Sequence, residues 1–559
     1  MDKNSFSAWD PGLESDIPKS CRSLETIYHS DNVYATYDEV DEICQATGLN
    51  AKELINFRPK RLAMHELIIR IGADILVMEG KKEEDLGINF RAIYDKIFTQ
   101  YIYPEIENID ASCHTMTNKM QNIITNKLEN ILSIPDSKTT KHRFYQFFKI
   151  FKTTTANAPL QTPYEREFEL INSLKHKKGK SELESAIYRS LFRVLGSILS
   201  RRGFIGNDIK YLTKICSIHT CNYLGSRLVG RKVALLIDKA IINEAYPVIP
   251  DAKKPILISL KGASAAGKSS LRPVLRKKML ELGIESDGYG TISPDIWRRI
   301  LLDYDALGEI FKYAGRFTSN EVFIIDRKLD SYIRRKAKTN NSIPHLIVDR
   351  FRFDSFASDK ITHLLHRTYV QYFDTVYMYF VVTPPEATVE RGWERGIERG
   401  RYKAVDDFLA HCIEAYAGMP RLLFKWISHN KPNYFFEFLD NSVAKGCYPE
   451  MIAKGTQSYM AIYKPEGLIN IERYQHINLM AKTADEVYPK TEELSVENNM
   501  RFLHQCIENI HLIEFIDPQT EICFLSVKDR TLTVTDKPIF ETRKTDAIFS
   551  GLLSTYSTV

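Results

Sequence analysis

Eight residues in the middle of this chain, Gly262-Ala263-Ser264-Ala265-Ala266-Gly267-Lys268-Ser269, fit the phosphate-binding pattern G-x-x-x-x-G-K-[ST] at every fixed position. The pattern has a physical reason. Its glycines allow a tight turn whose N–H groups point inward at a phosphate. The start of the following helix adds partial positive charge. Lys268 would bridge the β- and γ-phosphates of a nucleoside triphosphate, and the Ser269 hydroxyl would hold Mg²⁺. Ser270 completes the predicted cradle. The flanks agree. Ile256 to Leu260 (ILISL) predicts a short strand, and Ser270 to Gly283 (SLRPVLRKKMLELG) carries leucines on one helical face. The spacing predicts a chain that binds a nucleoside triphosphate with Mg²⁺.

Three more features narrow the chemistry. In Gly290 to Ile300 (GTISPDIWRRI), Asp295 follows the region where a second strand should end. A carboxylate there can take the proton of an attacking hydroxyl. His345 to Asp349 (HLIVD) is a buried-strand pattern ending in an acid. Asp349 is placed to orient Mg²⁺ or substrate at the strand's carboxyl end, with Arg350 and Arg352 beside it. Finally, Val389 to Asp407 (VERGWERGIERGRYKAVDD) carries Arg391, Arg395, Arg399 and Arg401. Arginines here can close over a triphosphate and stabilise charge in the transition state. The glycines at 392, 396 and 400 predict a moving lid rather than a rigid helix.

The elements that must position these residues are also readable. Strand patterns ILISL, HLIVD, Val376 to Val382 and Tyr434 to Leu439 alternate with helical ones. That predicts an α/β fold of P-loop NTPase type, a parallel sheet with crossover helices. A large all-α region precedes it and a small α+β tail follows. The expected divisions are a loose arm over 1–30, a helical domain over 31–150 and a linker over 151–164. A second helical block covers 165–250, the P-loop domain 255–445 and the tail 446–559. In the tail, Ile522 to Val527 and Thr531 to Thr535 read as a hairpin.

Composition excludes little but sets limits. The net charge of +5 over 559 residues is too small to argue for nucleic acid or a membrane surface. The longest apolar stretches fall far short of the roughly 20 residues of a membrane span. Nine cysteines, an odd number, read as reduced thiols. No signal peptide is visible, so the expected location is cytoplasmic, or a host-cell cytoplasm reached by another export route. Cys216, His219 and Cys221 offer three metal ligands without a second cluster to complete a tetrahedral site. Asn430-Lys431-Pro432-Asn433 lacks the acid that would read guanine, which argues against a GTPase.

The run GASAAGKSSLRPVL, the acid in SPDIWRRIL, an expected helix start at Asn320-Glu321 and the arginine-rich GRYKAVDDFLAH together resemble the zeta-toxin-like P-loop kinases. The resemblance covers about a third of the chain, 256 to 445. It implies an ATP-dependent kinase that phosphorylates a hydroxyl of a small molecule, nucleotide or nucleotide-sugar, as a toxin or a delivered effector. It implies Lys268 on phosphate and Asp295 as base, with Arg401 and either Arg391 or Arg395 clamping the γ-phosphate. It also implies Glu321 and the segment Asp349, Arg350 and Arg352 on the substrate side. The family often has Gly-Thr and an arginine after the third strand's acid. Asp349-Arg350-Phe351-Arg352 departs from that, so the acceptor stays open. The competing expectation is a nucleotide-gated interaction protein that binds ATP with little catalysis and docks a protein partner through its helical half.

Overall fold

The computed structural model describes residues 6–132, 162–349, 370–444, 446–489 and 491–558. They form two compact units. The first comprises Met1–Pro18, Ile68–Tyr94 and Ala245–Val559, and the second Lys19–Leu67 and Asp95–Glu244.

The second unit is helical. Its long helices are Ile106–Leu132, Pro163–Lys175, Glu182–Arg202 and Ile209–Asn243. Each shows apolar residues at three and four, and those are the ones buried. Ile124 and Leu128 join Leu191, Val194 and Ile198 with Ile215, Val229 and Val233 in the interior. Thr162 caps one helix in a capping box with Glu165, and Gly203 ends another in the left-handed conformation. Arg193 holds Glu53 through two hydrogen bonds of 2.7 and 2.8 Å. His219 packs its Nδ1 2.8 Å from Ser190 Oγ. Among the described residues no group of three or more His, Cys, Asp or Glu is placed to hold a metal ion.

The first unit is built on one mixed sheet of eleven strands. In chain order these are β1 (Ile256–Gly262), β2 (Tyr289–Ile292), β3 (His345–Asp349), β4 (Thr375–Val382), β5 (Asn433–Asp440), β6 (Glu450–Thr456), β7 (Tyr459–Ile462), β8 (Leu512–Ile516), β9 (Cys523–Lys528), β10 (Thr531–Val534) and β11 (Ser557–Thr558). The spatial order runs β2-β3-β1-β4-β5 and then β6 to β11 in sequence. β2, β3, β1, β4 and β5 are all parallel. The chain therefore reverses direction in the order of strands between β1 and its neighbours β3 and β4. That crevice, beyond the strands' carboxyl ends, is where α/β sheets bind ligands. β1 and β4 are buried almost throughout, as a strand covered by helices on both faces must be.

The α/β class and the strands ILISL, HLIVD, VYMYFVV and YFFEFL are observed. The region expected as a small α+β tail adds β6 to β11 to the same sheet, through antiparallel pairing of β6 with β5. Its hairpin forms between β9 and β10. Asp529 and Arg530 make the turn, both at positive φ, which suits the twist of a tight hairpin. Among the described residues no helix is long and apolar enough to cross a membrane.

Two early segments of the chain belong to this unit. Asp74 accepts hydrogen bonds from Tyr332 Oη (2.7 Å) and Lys336 Nζ (2.9 Å). Arg276 donates to Gly80 O at 2.9 Å, and Thr291 Oγ1 to Glu79 at 2.6 Å. Near the N-terminus, the buried Lys312 donates to Pro11 O at 2.9 Å.

Candidate active site

The loop after β1 holds an open, strained turn. Ala265 and Gly267 both take positive φ, 61° and 89°. At Gly267 a Cβ would fall 2.2 Å from Asn441 Nδ2, so no other residue fits. Two side chains at strand ends pin the turn. Thr383 Oγ1 (3.1 Å) and Asn441 Nδ2 (2.8 Å) both donate to Ala266 O. Lys268 Nζ folds back onto Gly262 O (3.0 Å) and Ala263 O (2.8 Å). Ser269 opens a helical turn that runs on into the helix Arg272–Glu281.

The predicted carboxylates converge on this loop. Asp349, at the end of β3, lies 3.4 Å from Ser269 Oγ, which donates to it. Arg272 supports that acid from 3.8 Å, donates to Ser293 Oγ at 3.1 Å and reaches Glu83 O at 3.2 Å. Asp295 stands just past β2 with its side chain 53% exposed. Arg298 Nε donates to its Oδ1 at 2.9 Å, and Arg401 approaches its Oδ2 at 3.5 Å. Because the side chain is half exposed, burial does little to raise the Asp295 carboxyl, and Arg401, Arg298 and Arg395 hold it well below the usual carboxylate range. It is ionised at any working pH.

The arginines divide into three kinds. Arg399 is spent on Glu83 (2.9 Å) and Glu84 (3.0 Å). Arg391 donates to Val443 O at 2.9 Å and has its Nη1 about the loop, 4.0 Å from where a Cβ on Gly267 would sit. Arg395 makes no hydrogen bond or ion pair among the described residues, and its Nε is buried. Burial, with Arg401 next to it, pushes the guanidinium down to about 9 against the pull of Asp295 and Glu83, so it still carries its charge at neutral pH. Lys268 is shifted the same way. Burial lowers it, Asp349 and Asp295 pull it up, and Arg395 and Arg401 push it down again. Positive charge is in excess here, with one buried guanidinium nitrogen unmatched.

The arginine segment corrects an expectation. Its glycines predicted a loose lid, yet Pro385–Arg399 is one helix of 15 residues. The glycines serve close packing instead. A Cβ on Gly392 would come within 2.1 Å of the Phe408 ring, and one on Gly396 within 2.7 Å of the Tyr402 ring. Gly400 ends the helix at φ 69°. Gly392→Ala is therefore expected to destabilise the protein by about 1–3 kcal/mol through overpacking. A lowered midpoint in urea unfolding checks it; an unchanged midpoint would mean that Phe408 yields freely.

Glu321 differs too. The helix expected to begin at Asn320-Glu321 begins earlier and spans Ala314–Asn340. Glu321 lies one turn beyond Thr318, fully buried. Arg350 and Arg352 lie outside the described residues. Several residues at the site were not singled out from sequence. Arg298 braces Asp295 and is itself held by Gly315 O (2.7 Å) and Thr318 Oγ1 (2.8 Å). Its position three after Asp295, on the same helical face, was an available signal. Arg272 stood in the GKSSLR run. Asn441, Thr383 and Glu83 carried no local signal, because strand ends and a distant segment bring them in.

Solved structures similar to this chain are low in identity. An AvrRxo1-ORF1:AvrRxo1-ORF2 structure with sulphate ions is 18% identical at a TM-score of 0.32, over 40% of this chain and 65% of that one. A structure of AvrRxo1-ORF1:-ORF2 with ATP is 18% identical at 0.32, over 44% and 71%. The PezAT chromosomal toxin-antitoxin system of Streptococcus pneumoniae gives 17% and 0.28, over 40% and 80%. The chain thus spans just under two thirds of the first of these. No protein-family model matches the sequence, and no curated protein does. At such TM-scores, what the site does must be read from its own residues.

Proposed function

We propose that this protein is an ATP-dependent phosphotransferase with a P-loop kinase layout. It passes the γ-phosphate to a hydroxyl of a small molecule, nucleotide or nucleotide-sugar. The observation that carries the reading is the cluster of Arg395, Arg401 and Lys268 around Asp295 at a glycine loop, with Arg395 Nε buried and without a hydrogen-bond partner among the described residues. A cluster of cations this dense calls for a polyanion. A base at its edge calls for an acceptor with a proton to lose.

The residues present fit ATP and Mg²⁺. The turn at Ala265 and Gly267 is of the kind that points N–H groups at a phosphate, and Lys268 can turn from two carbonyls to it. Ser269 and Asp349 would supply oxygen ligands for Mg²⁺, which would neutralise phosphate charge when bound. Asp295 takes the proton as the acceptor oxygen attacks the γ-phosphorus. The new P–O bond forms while the bridging P–O bond to the β-phosphate breaks, and ADP departs with that electron pair. Arg395 and Arg401 stabilise the charge spread over the transferring group. Arg395 is the second clamp in this reading, since Arg391 is engaged with Val443. A protein that only bound ATP would need neither Asp295 nor Arg401 at these positions. A role as toxin or delivered effector rests on the sequence resemblance.

The test is incubation with γ-labelled ATP and a metabolite extract. Label is expected in one metabolite class with the wild type and absent with Lys268→Ala. Label released only as inorganic phosphate would leave an ATPase and end the kinase reading. Arg401→Ala is expected to lower kcat more than it raises KM for ATP, because its contact strengthens in the transition state. Lysine at 401 should rescue poorly, since a point charge cannot reproduce a forked contact. Full activity in Arg401→Lys would make it a binding residue only.

A further inference from the structure

Two residues beyond Arg401 stands Lys403, which neither the motif nor the clamp uses. Tyr402, between them, anchors the segment. Its ring packs edge-on against Trp393 (5.6 Å) and Phe311 (5.4 Å) and lies over Gly396. Lys403 Nζ rests 2.6 Å from His411 Nδ1 and 3.5 Å from Nε2. Among the described residues it has no carboxylate within ion-pair distance. That contact has a consequence. A carboxylate would hold a lysine by neutralising it. A neutral imidazole holds it by one hydrogen bond and leaves its charge available.

We propose that Lys403, shelved on His411, is a further triphosphate-binding residue whose protonation is coupled to nucleotide entry. This rests on the reading of the loop as an ATP site. The surroundings explain the coupling. Burial pushes His411 down to about 2, with Lys403, Lys268 and Arg316 acting the same way, so the ring is always a neutral acceptor. Burial also pushes Lys403 down to about 7. Asp407, on the helix that follows, opposes this. Arg395 from the preceding helix and Arg298 beside β2 reinforce it, and Asp295 opposes it again. Without bound nucleotide, burial and the neighbouring arginines outweigh Asp407 and Asp295, so Lys403 exchanges its proton near neutral pH. A triphosphate reverses the local field and favours the ammonium. Bound protein then holds more protons than free protein. ATP affinity must fall as pH rises above about 7, with a slope approaching tenfold per pH unit for one coupled proton.

The experiment is calorimetric titration of the full-length protein with MgATP at pH 8, in buffers of different ionisation enthalpy. A terminal phosphate, with a second pKa of about 6, is already ionised there and contributes no proton. The wild type is expected to take up close to one proton per ATP. Lys403→Met should take up none and show a nearly flat affinity between pH 7 and 8.5. Lys403→Arg, charged throughout, should also take up none yet keep ATP affinity within about threefold at pH 7. Thermal melting of each variant separates this from misfolding. Uptake that persists in a folded Lys403→Met protein overturns the proposal while leaving the kinase reading intact. Wild-type protein that binds no ATP overturns both.

Discussion

Asp295→Asn is expected to bind ATP at least as tightly as the wild type and to transfer phosphate about 10²–10⁴-fold more slowly, the usual contribution of a general base. That loss corresponds to about 3–5 kcal/mol in the barrier. The substitution keeps the shape and one acceptor oxygen for Arg298, whose Nε is 2.9 Å from Asp295 Oδ1. What it removes is the charge and the ability to accept a proton. Affinity should not suffer, because removing a carboxylate from beside Arg298, Arg395 and Arg401 leaves more positive charge for the triphosphate. The arginines hold the wild-type carboxyl well below its ordinary range, so it contributes no acidic limb to the rate between pH 5 and 8, a range set by the ordinary carboxylate value of about 4. Steady-state transfer to the identified acceptor, with calorimetry of ATP binding, checks both halves. An Asn variant with wild-type turnover would remove Asp295 from the mechanism.

Lys268→Ala is expected to weaken ATP binding by about 10- to 100-fold without harming the fold. A charge-assisted hydrogen bond is worth about 1.5–3 kcal/mol, which sets that range. The fold should tolerate the change for a specific reason. In the empty site the Lys268 ammonium is already disfavoured by burial and by Arg395 and Arg401. Among its bonds are those to two loop carbonyls, Gly262 O and Ala263 O, at a partly exposed edge. Truncation removes a cation that Asp349 and Asp295 favour and that burial, Arg395 and Arg401 disfavour. The melting temperature should change little. Unchanged ATP affinity in Lys268→Ala would exclude this loop as the nucleotide site.

Arg395→Met gives a third measurement of the same charge. It should lower transfer by a larger factor than it raises KM for ATP, and it should raise the melting temperature, since burial and Arg401 disfavour the charged guanidinium in the empty site more than Asp295 and Glu83 favour it. Equal effects on kcat/KM and ATP affinity, with no thermal gain, would return Arg395 to an ordinary binding role.

What could be read from the sequence was local. GASAAGKS specified its own turn because the glycine and lysine positions follow from backbone geometry and phosphate chemistry alone. The strands β1, β3 and β4 were legible because each is a short apolar run, the mark of a strand buried on both faces, and β5 because its buried aromatic residues alternate with more exposed ones. Asp295 and Asp349 followed from their places after strands. The arginine helix was misjudged because glycine lowers helix propensity by about 1 kcal/mol in isolation. Tertiary packing overrode that. Gly392 and Gly396 are the only residues that let the Phe408 and Tyr402 rings approach so closely, and burying two aromatic rings outweighs the lost propensity.

The sequence by itself determined the loop, its lysine, the two carboxylates and the set of arginines, since each belongs to a short stretch with its own chemistry. Only the tertiary structure decided how those arginines are used. Arg391, Arg395 and Arg399 repeat every fourth residue and look equivalent along the chain. Folding sets Glu83 and Glu84 against Arg399, Val443 O against Arg391 and nothing described against Arg395. The partners come from residues far apart in sequence, and no local pattern encodes which charge will be left without one.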